Sequence, residues 1–241
     1  MKTIITAFMI SVFAISLSQA DTIIIGMENL DYYPYYSNSN GNKTGAAVEL
    51  FEKFSNNYEH KIKLKALPVA RLLPTFLSKN VEYKFPANPN WAKNAKEGVN
   101  LVYSEPVFQF TDGVLVKSNN QGKGINKLGV VRGFTAWDYL DKIKSGEIKV
   151  TEGSNLESMV KMLDQNRIDG LYCNINVANY IVKKVLGNND SIIFDKSLPH
   201  TTSNYHLASH GNGKVIEDFN AFLIKEDTYI EQLKSQYGIF E

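Results

Sequence analysis

Arginine is almost absent from this chain. Of its 26 basic residues only Arg71, Arg132 and Arg167 are arginine; the rest are lysine. A guanidinium grips a carboxylate or phosphate through a planar two-bond fork, whereas an ammonium acts as a point charge. Few positions can therefore clamp an anion in that way. Neither sign of charge is in excess: the formal net charge is +1, which argues against nucleic acid and anionic membrane as partners. Cysteine occurs once, as Cys173. No internal disulfide can form, so a packed core must hold the fold together. Beyond residue 20 no apolar run approaches the roughly 20 residues that a bilayer span needs. Internal repeats and low-complexity tracts are lacking too. What remains is a globular chain with room for one large domain or two small ones.

The first twenty residues have a different character. Met1 and Lys2 make a short positive start, and residues 4–15 are apolar except for Thr6 and Ser11. Ser18-Gln19-Ala20 is a small-x-small cleavage site. This is the pattern of a cleavable secretory signal peptide. Cleavage after Ala20 leaves 221 residues, with 25 basic and 25 acidic side chains. Residue 21 is aspartate rather than cysteine, so no lipid anchor is expected at the new terminus. The expected product is a soluble, monomeric protein of the bacterial periplasm.

Hydrophobic spacing divides the mature chain into strands and helices. Residues 22–26 read as a buried strand. Ala47, Leu50, Phe51 and Phe54 share one helical face. Residues 61–67 alternate as a half-buried strand does, and residues 71–77 read as a short helix that Pro74 delays or kinks. Residues 113–117 are a strand, followed by a polar, glycine-containing stretch at 118–126 that is a candidate lobe boundary or surface excursion. Strands at 128–132, 147–151 and 169–173 then alternate with helices at 135–143, at the Leu156, Met159, Val160 and Leu163 stripe, and at 177–186. Such alternation implies parallel α/β units. A strand at 205–208, a helix carrying Val215, Phe219 and Phe222, and a helix at 228–236 close the chain. The expected fold is α/β with two lobes: residues 21–114 with 204–241, and residues 115–203. Ligands of open α/β sheets bind beyond the carboxyl ends of strands, so the cleft between the lobes is the expected site.

In this order the segments resemble the family 3 extracellular solute-binding proteins, the amino-acid-binding components of bacterial ABC uptake systems. IGMENLDYYPYY (25–36) resembles the family's first strand, ligand-contacting turn and Pro-aromatic pair. GAAVEL (45–50) resembles its Gly-aromatic-x-x-acidic-Leu helix start. RLLPTFLSKNVEYKFP (71–86) resembles its Leu-Ile-Pro-x-Leu segment. LVYSEPVFQFTDGVLV (101–116) resembles the Phe-Ser-x-Pro-Tyr strand that leads into the second lobe. LGVVRGFT (128–135) and NRIDGLYCN (166–174) resemble the later strand–turn and Gly-Arg-Val-Asp segments. The resemblance implies the two-lobed fold called type II, hinge closure around a small solute, and an inner-membrane ABC permease as partner. A membrane receptor that reads the closed form is the alternative partner. Some dehydratases share the fold, but no nucleophile elbow or telling carboxylate pair is present, and no enzymatic role is expected.

The departures from the family bear on the ligand. Its amino-acid binders usually carry a carboxylate-clamping arginine shortly before the Phe-Ser-x-Pro strand. Here WAKNAKEGVN (91–100) has none, and the position falls on Glu97 with Lys96 beside it. The family's aspartate for the α-amino group falls on Asn174. The cleft is therefore not expected to hold an α-amino acid through the usual Arg–Asp pair.

Other residues become candidates. Glu28, after the first strand, could hold an amine or be a solvated turn residue. The four tyrosines of residues 31–36 offer flat faces with polar tips, suited to a ring, sugar or cation. Tyr32 and Tyr33 lie nearest the strand end; packing at a hinge is the alternative. Arg71 could clamp an anion or pair at a helix start. Asn88 and Trp91 sit in a proline-fixed loop that could form a cleft wall or be pinned to the core. Arg132 precedes a strand-to-helix turn where backbone N–H groups and Thr135 could receive an anion; a plain cap by Thr135 is the alternative. Cys173 reads as a buried, inert strand residue. The spacing of His200, His206 and His210 does not gather metal ligands. No metal or other cofactor is expected. Binding is expected to rest on Tyr33 and Trp91 as walls and on Glu28, Arg71 and Arg132 as charges, with Asn174 of less weight.

Overall fold

A computed structural model describes residues 22–39, 41–58, 60–187, 190–211 and 213–239. The signal peptide expected over residues 1–20 lies outside the described residues. Strand β1 (Thr22–Glu28) is followed by the short β2 (Asp31–Tyr32), β3 (Tyr36–Ser39) and β4 (Asn42–Thr44), then by helix α1 (Ala46–Tyr58). Next come β5 (Lys61–Leu67), α2 (Val69–Leu77), β6 (Tyr83–Ala87), β7 (Leu101–Tyr103) and the long β8 (Phe108–Lys117). The middle of the chain supplies β9 (Lys127–Val131), α3 (Leu140–Lys144), β10 (Lys149–Gly153), α4 (Leu156–Asp164), β11 (Gly170–Asn174), α5 (Ile175–Leu186) and β12 (Ile192–Phe194). A second long strand, β13 (Thr201–His210), leads into α6 (Lys214–Lys225) and α7 (Asp227–Tyr237).

The main sheet runs β10-β9-β11-β8-β13-β6-β1-β5, with β12 against β8 and β7 against β13; β2, β3 and β4 form a separate small sheet. Two strands serve both halves of the main sheet. Residues 108–112 of β8 pair with residues 201–205 of β13. Beyond that ladder β8 pairs with β11 and β12, while β13 turns to β6 and β7. The halves are therefore joined within β8 and β13, and the polar stretch at 118–126 follows β8. Asp112 stands at the switch: it faces Thr201 on one side and Asn174 on the other.

One apolar cluster runs through both halves. In the first, Phe51 and Phe54 of α1 meet Phe219 and Phe222 of α6, with ring centroids 5.5 Å (Phe51–Phe219) and 5.0 Å (Phe54–Phe219) apart. These four side chains are fully buried, and each contributes about 1.5–3 kcal/mol of transfer free energy. In the second half, Asn155 caps α4 by accepting from the Ser158 N–H at 2.8 Å, satisfying an otherwise orphan donor. The α4 stripe Leu156, Met159, Val160 and Leu163 is buried. Gly129 lets α4 approach β9: a Cβ there would lie 2.6 Å from the Met159 methyl and 2.5 Å from Ile168.

Local geometry corrects several sequence expectations. Helix α2 begins before Arg71, at Val69, because Pro68 precedes it with φ −53° and its carbonyl accepts the first helical N–H groups; Pro74 lies inside the helix. The helix expected at 135–143 starts late. A 3-10 turn covers Trp137–Tyr139 and α3 is five residues long, so Thr135 is not its cap. Strand β6 was unmarked in the sequence because it contains Pro86. The missing N–H falls where the register of β13 shifts, between its partners His206 and Ala208, and an irregularity is where a strand tolerates proline.

Candidate functional site

The carboxyl ends of β1, β6, β9 and β11 converge on a cavity of about 140 Å³ lined from both halves of the sheet. Residues on the first half include Glu28, Tyr32, Leu72, Phe76, Lys84, Asn88, Trp91, Lys96 and Tyr103. The second half supplies Gly133, Phe134, Thr135, Trp137, Tyr172, Cys173 and Asn174; Asp112 and Tyr205 come from the shared strands. The halves touch at the rim. Gly133 has φ +95°, and a Cβ on it would lie 2.8 Å from the Ala70 backbone nitrogen. Phe134 meets Tyr32 edge-on with centroids 5.8 Å apart. Outside the cavity, Lys184 of α5 bonds Asp31 at 2.7 Å and Glu157 at 2.7 Å.

Aromatic rings make the walls. Tyr205 stacks on Phe110 with centroids 4.4 Å apart, and Trp91 meets both of them, at 5.9 Å and 5.6 Å. The Lys84 ammonium lies 5.6 Å from the centre of the Trp91 ring.

Two carboxyl and two lysine side chains line this space, with no net charge between these four when all are ionised. Glu28 is bonded by the Tyr36 hydroxyl. Burial raises its pKa, and the positive Lys84 opposes the rise. Lys84 donates to the Pro86 carbonyl; burial lowers its pKa against the pull of Glu28. Lys96 donates to the carbonyls of Asn88 (3.0 Å) and Pro89 (2.9 Å) and to the Tyr103 hydroxyl (3.0 Å). Burial, then the nearby Lys84 and Lys93, bring its pKa down to about 8. Asp112 is pushed up to about 8 by burial, then by Asp138 and Glu28. Its Oδ1 is buried without a hydrogen-bond partner among the described residues.

Of the residues singled out in the sequence, Glu28, Tyr32, Asn88, Trp91, Thr135 and Asn174 are brought together here. Asn88 and Asn174 already have structural work. The Asn88 amide donates to Ser203 Oγ and the Asn204 carbonyl, both at 2.9 Å. Asn174 accepts from the Val177 N–H at 3.1 Å as the cap of α5, and its amide nitrogen lies 3.4 Å from the Tyr205 hydroxyl. Three candidates lie outside the cavity. Tyr33 packs on Tyr180 and Tyr237. Arg71 is exposed on α2, whose Leu72 and Phe76 face inward instead. Arg132 is exposed and its Nε lies 3.4 Å from Glu152. Lys84, Lys96, Asp112, Tyr172 and Tyr205 were missed. Lys96 had a signal, lying in the stretch where the family arginine was sought. Asp112 had one too: it interrupts the alternating apolar positions Phe108, Phe110, Val114 and Val116 of one strand.

Solved structures share this architecture. The P235GK mutant of an arginine-binding protein from T. maritima superposes with a TM-score of 0.73 at 17% identity, over 90% of this chain and 94% of that one. The chain has the fold of the two-lobed periplasmic binding proteins. An ancestral arginine-binding protein bound to arginine gives 0.72 at 21% identity, over 90% and 97% of the two chains. A histidine kinase sensor domain similar to periplasmic binding proteins gives 0.74 at 15% identity, over 90% and 96%. No protein-family model matches the sequence, and no curated protein matches it.

Proposed function

We propose that this chain is a periplasmic solute-binding protein that captures a small polar solute and delivers it to an ABC transporter. The observation that carries this reading is the cavity itself, at strand carboxyl ends, walled by aromatic rings and lined from both halves of the sheet. The lobes of this reading are residues 21–114 with 204–241 and residues 115–203, and β8 and β13 form the hinge. A signal peptide over residues 1–20 exports the chain, which acts as a monomer. Arginine-binding proteins and the binding protein of an amino-acid ABC transporter among the structural neighbours support an amino-acid-like solute. Neither an enzymatic step nor a cofactor enters the reading.

A second reading is a sensor that presents its closed form to a membrane receptor. The likeness to a histidine kinase sensor domain favours it. Titration calorimetry of the mature chain against amino acids, small peptides, polyamines and organic acids tests the shared premise. One-to-one binding of an unaltered solute is expected. No binding across the panel, or conversion of the bound solute, refutes it. Reconstitution with a permease and ATPase then separates transport from sensing.

A further inference from the structure

We propose that Asp112 receives a basic nitrogen of the bound solute, so that the cavity takes a small amine or an amine-bearing zwitterion. This rests on the solute-binding reading. Three of the four charged groups lining the cavity are already committed. Glu28 holds the Tyr36 hydroxyl, Lys84 the Pro86 carbonyl, and Lys96 three acceptors. Asp112 alone among these four leaves a buried oxygen, Oδ1, without a partner among the described residues. In its ionised form the group only accepts hydrogen bonds, and an unmade one in a buried place is costly. An ammonium supplies the missing donor and the counter-charge that lets the group ionise.

The place of Asp112 in the strand supports this. Side chains two residues apart share a face, and the neighbours of Asp112 on its own are Phe108, Phe110, Val114 and Val116. An ionisable group in that row is expensive, and packing does not call for it. The rings of Tyr32, Trp91 and Tyr205 in the same cavity suit a cation, which their negative faces attract.

The surroundings of Asp112 define a proton signature. The charged groups facing it are Asp138, which accepts from Thr201 and Tyr172, and Glu28. The other titratable groups that feel its charge are Tyr32, Tyr35, Tyr36, Tyr172, Tyr205 and Cys173. All are shifted upward and stay protonated at neutral pH. With its own pKa near 8, Asp112 carries a proton at pH 7 in the empty cavity. An arriving ammonium lowers that pKa and drives the proton off.

The test is titration calorimetry of the mature chain at pH 7 with L-lysine, L-glutamine and putrescine as amine probes and succinate as an amine-free probe. Each titration is run in two buffers of different ionisation enthalpy. At least one amine is expected to bind with release of about one proton per molecule. Asp112→Asn, near in shape and checked for folding by circular dichroism, is expected to bind that amine at least about 30-fold more weakly, with no proton released. The proposal is overturned if no amine binds, if succinate alone binds, if the wild type releases no proton, or if the variant binds the amine within threefold. The first outcome separates the two levels. Binding of an amine-free solute keeps the solute-binding reading while sinking the role of Asp112; no solute of any class binding sinks both.

Discussion

Asp112→Asn should make the empty protein more stable, and the gain should grow with pH. The folded-state pKa of about 8 lies above the ordinary 3.8. The folded protein therefore binds more protons than the unfolded chain between those values, and its stability falls as pH rises through that window. At 1.36 kcal/mol per unit, a fixed environment gives a cost of about 1.7 kcal/mol at pH 5 and about 5 kcal/mol at pH 8. The side chain opens onto the cavity, and water there screens the charge, so about half of the pH 5 to 8 difference, near 2 kcal/mol, is the expected effect. Asparagine removes the titration and keeps the size. Urea unfolding of both proteins without solute, at pH 5 and pH 8, measures it. The variant's advantage should increase by at least 1 kcal/mol across that interval. A difference between the two proteins that is constant within about 0.5 kcal/mol would refute the assignment of this carboxyl as a charge held at a cost to stability.

Other expectations follow from the same geometry. Gly133→Ala places a Cβ 2.8 Å from the Ala70 backbone nitrogen at φ +95°. It should weaken solute binding more than tenfold by calorimetry while changing the melting temperature by only a few degrees. Lys184→Ala removes the bonds to Asp31 and Glu157, a half-exposed network of about 1 kcal/mol. Solute affinity should fall about fivefold in low salt, and by less at 0.5 M salt where screening has already weakened the network. Phe54→Ala should cost about 3–5 kcal/mol in urea unfolding, since the ring is fully buried among Phe219, Phe222 and Tyr58. Arg71→Ala and Arg132→Ala should leave solute affinity within threefold, because both side chains lie outside the cavity.

The sequence exposed the fold more readily than the site. Elements with a clean period were legible: β5 falls at Lys61–Leu67 as its alternation required, and the four apolar residues of α4 are all buried. Signals failed where a local rule was outweighed. Proline hid β6, and a 3-10 turn at Trp137–Tyr139 delayed the helix expected from residue 135. In the site, arginine is the residue expected from sequence because its fork is the strongest anion clamp. All three arginines, Arg71, Arg132 and Arg167, are exposed. The cavity is lined instead by lysines whose long stems reach inward from β6 and from the 3-10 turn at Lys93–Lys96. Tyr33 and Tyr32 are adjacent and alike, but β2 ends at Tyr32, which lines the cavity, while Tyr33 lies in the turn that follows and packs on Tyr180 and Tyr237. No spacing rule decides that choice before the end of so short a strand is known.

The ladder between β8 and β13 has a mechanical consequence. Five residues of each strand are bonded to one another, from Phe108 with Tyr205 to Asp112 with Thr201. A two-stranded ribbon bends readily across its face. Sliding one strand along the other is a different matter: a slip of one residue breaks every rung and turns each side chain to the opposite side. A body joined through such a ribbon can flap but cannot glide. Translation along the strands is the motion this joint excludes; bending and twisting are the ones it leaves.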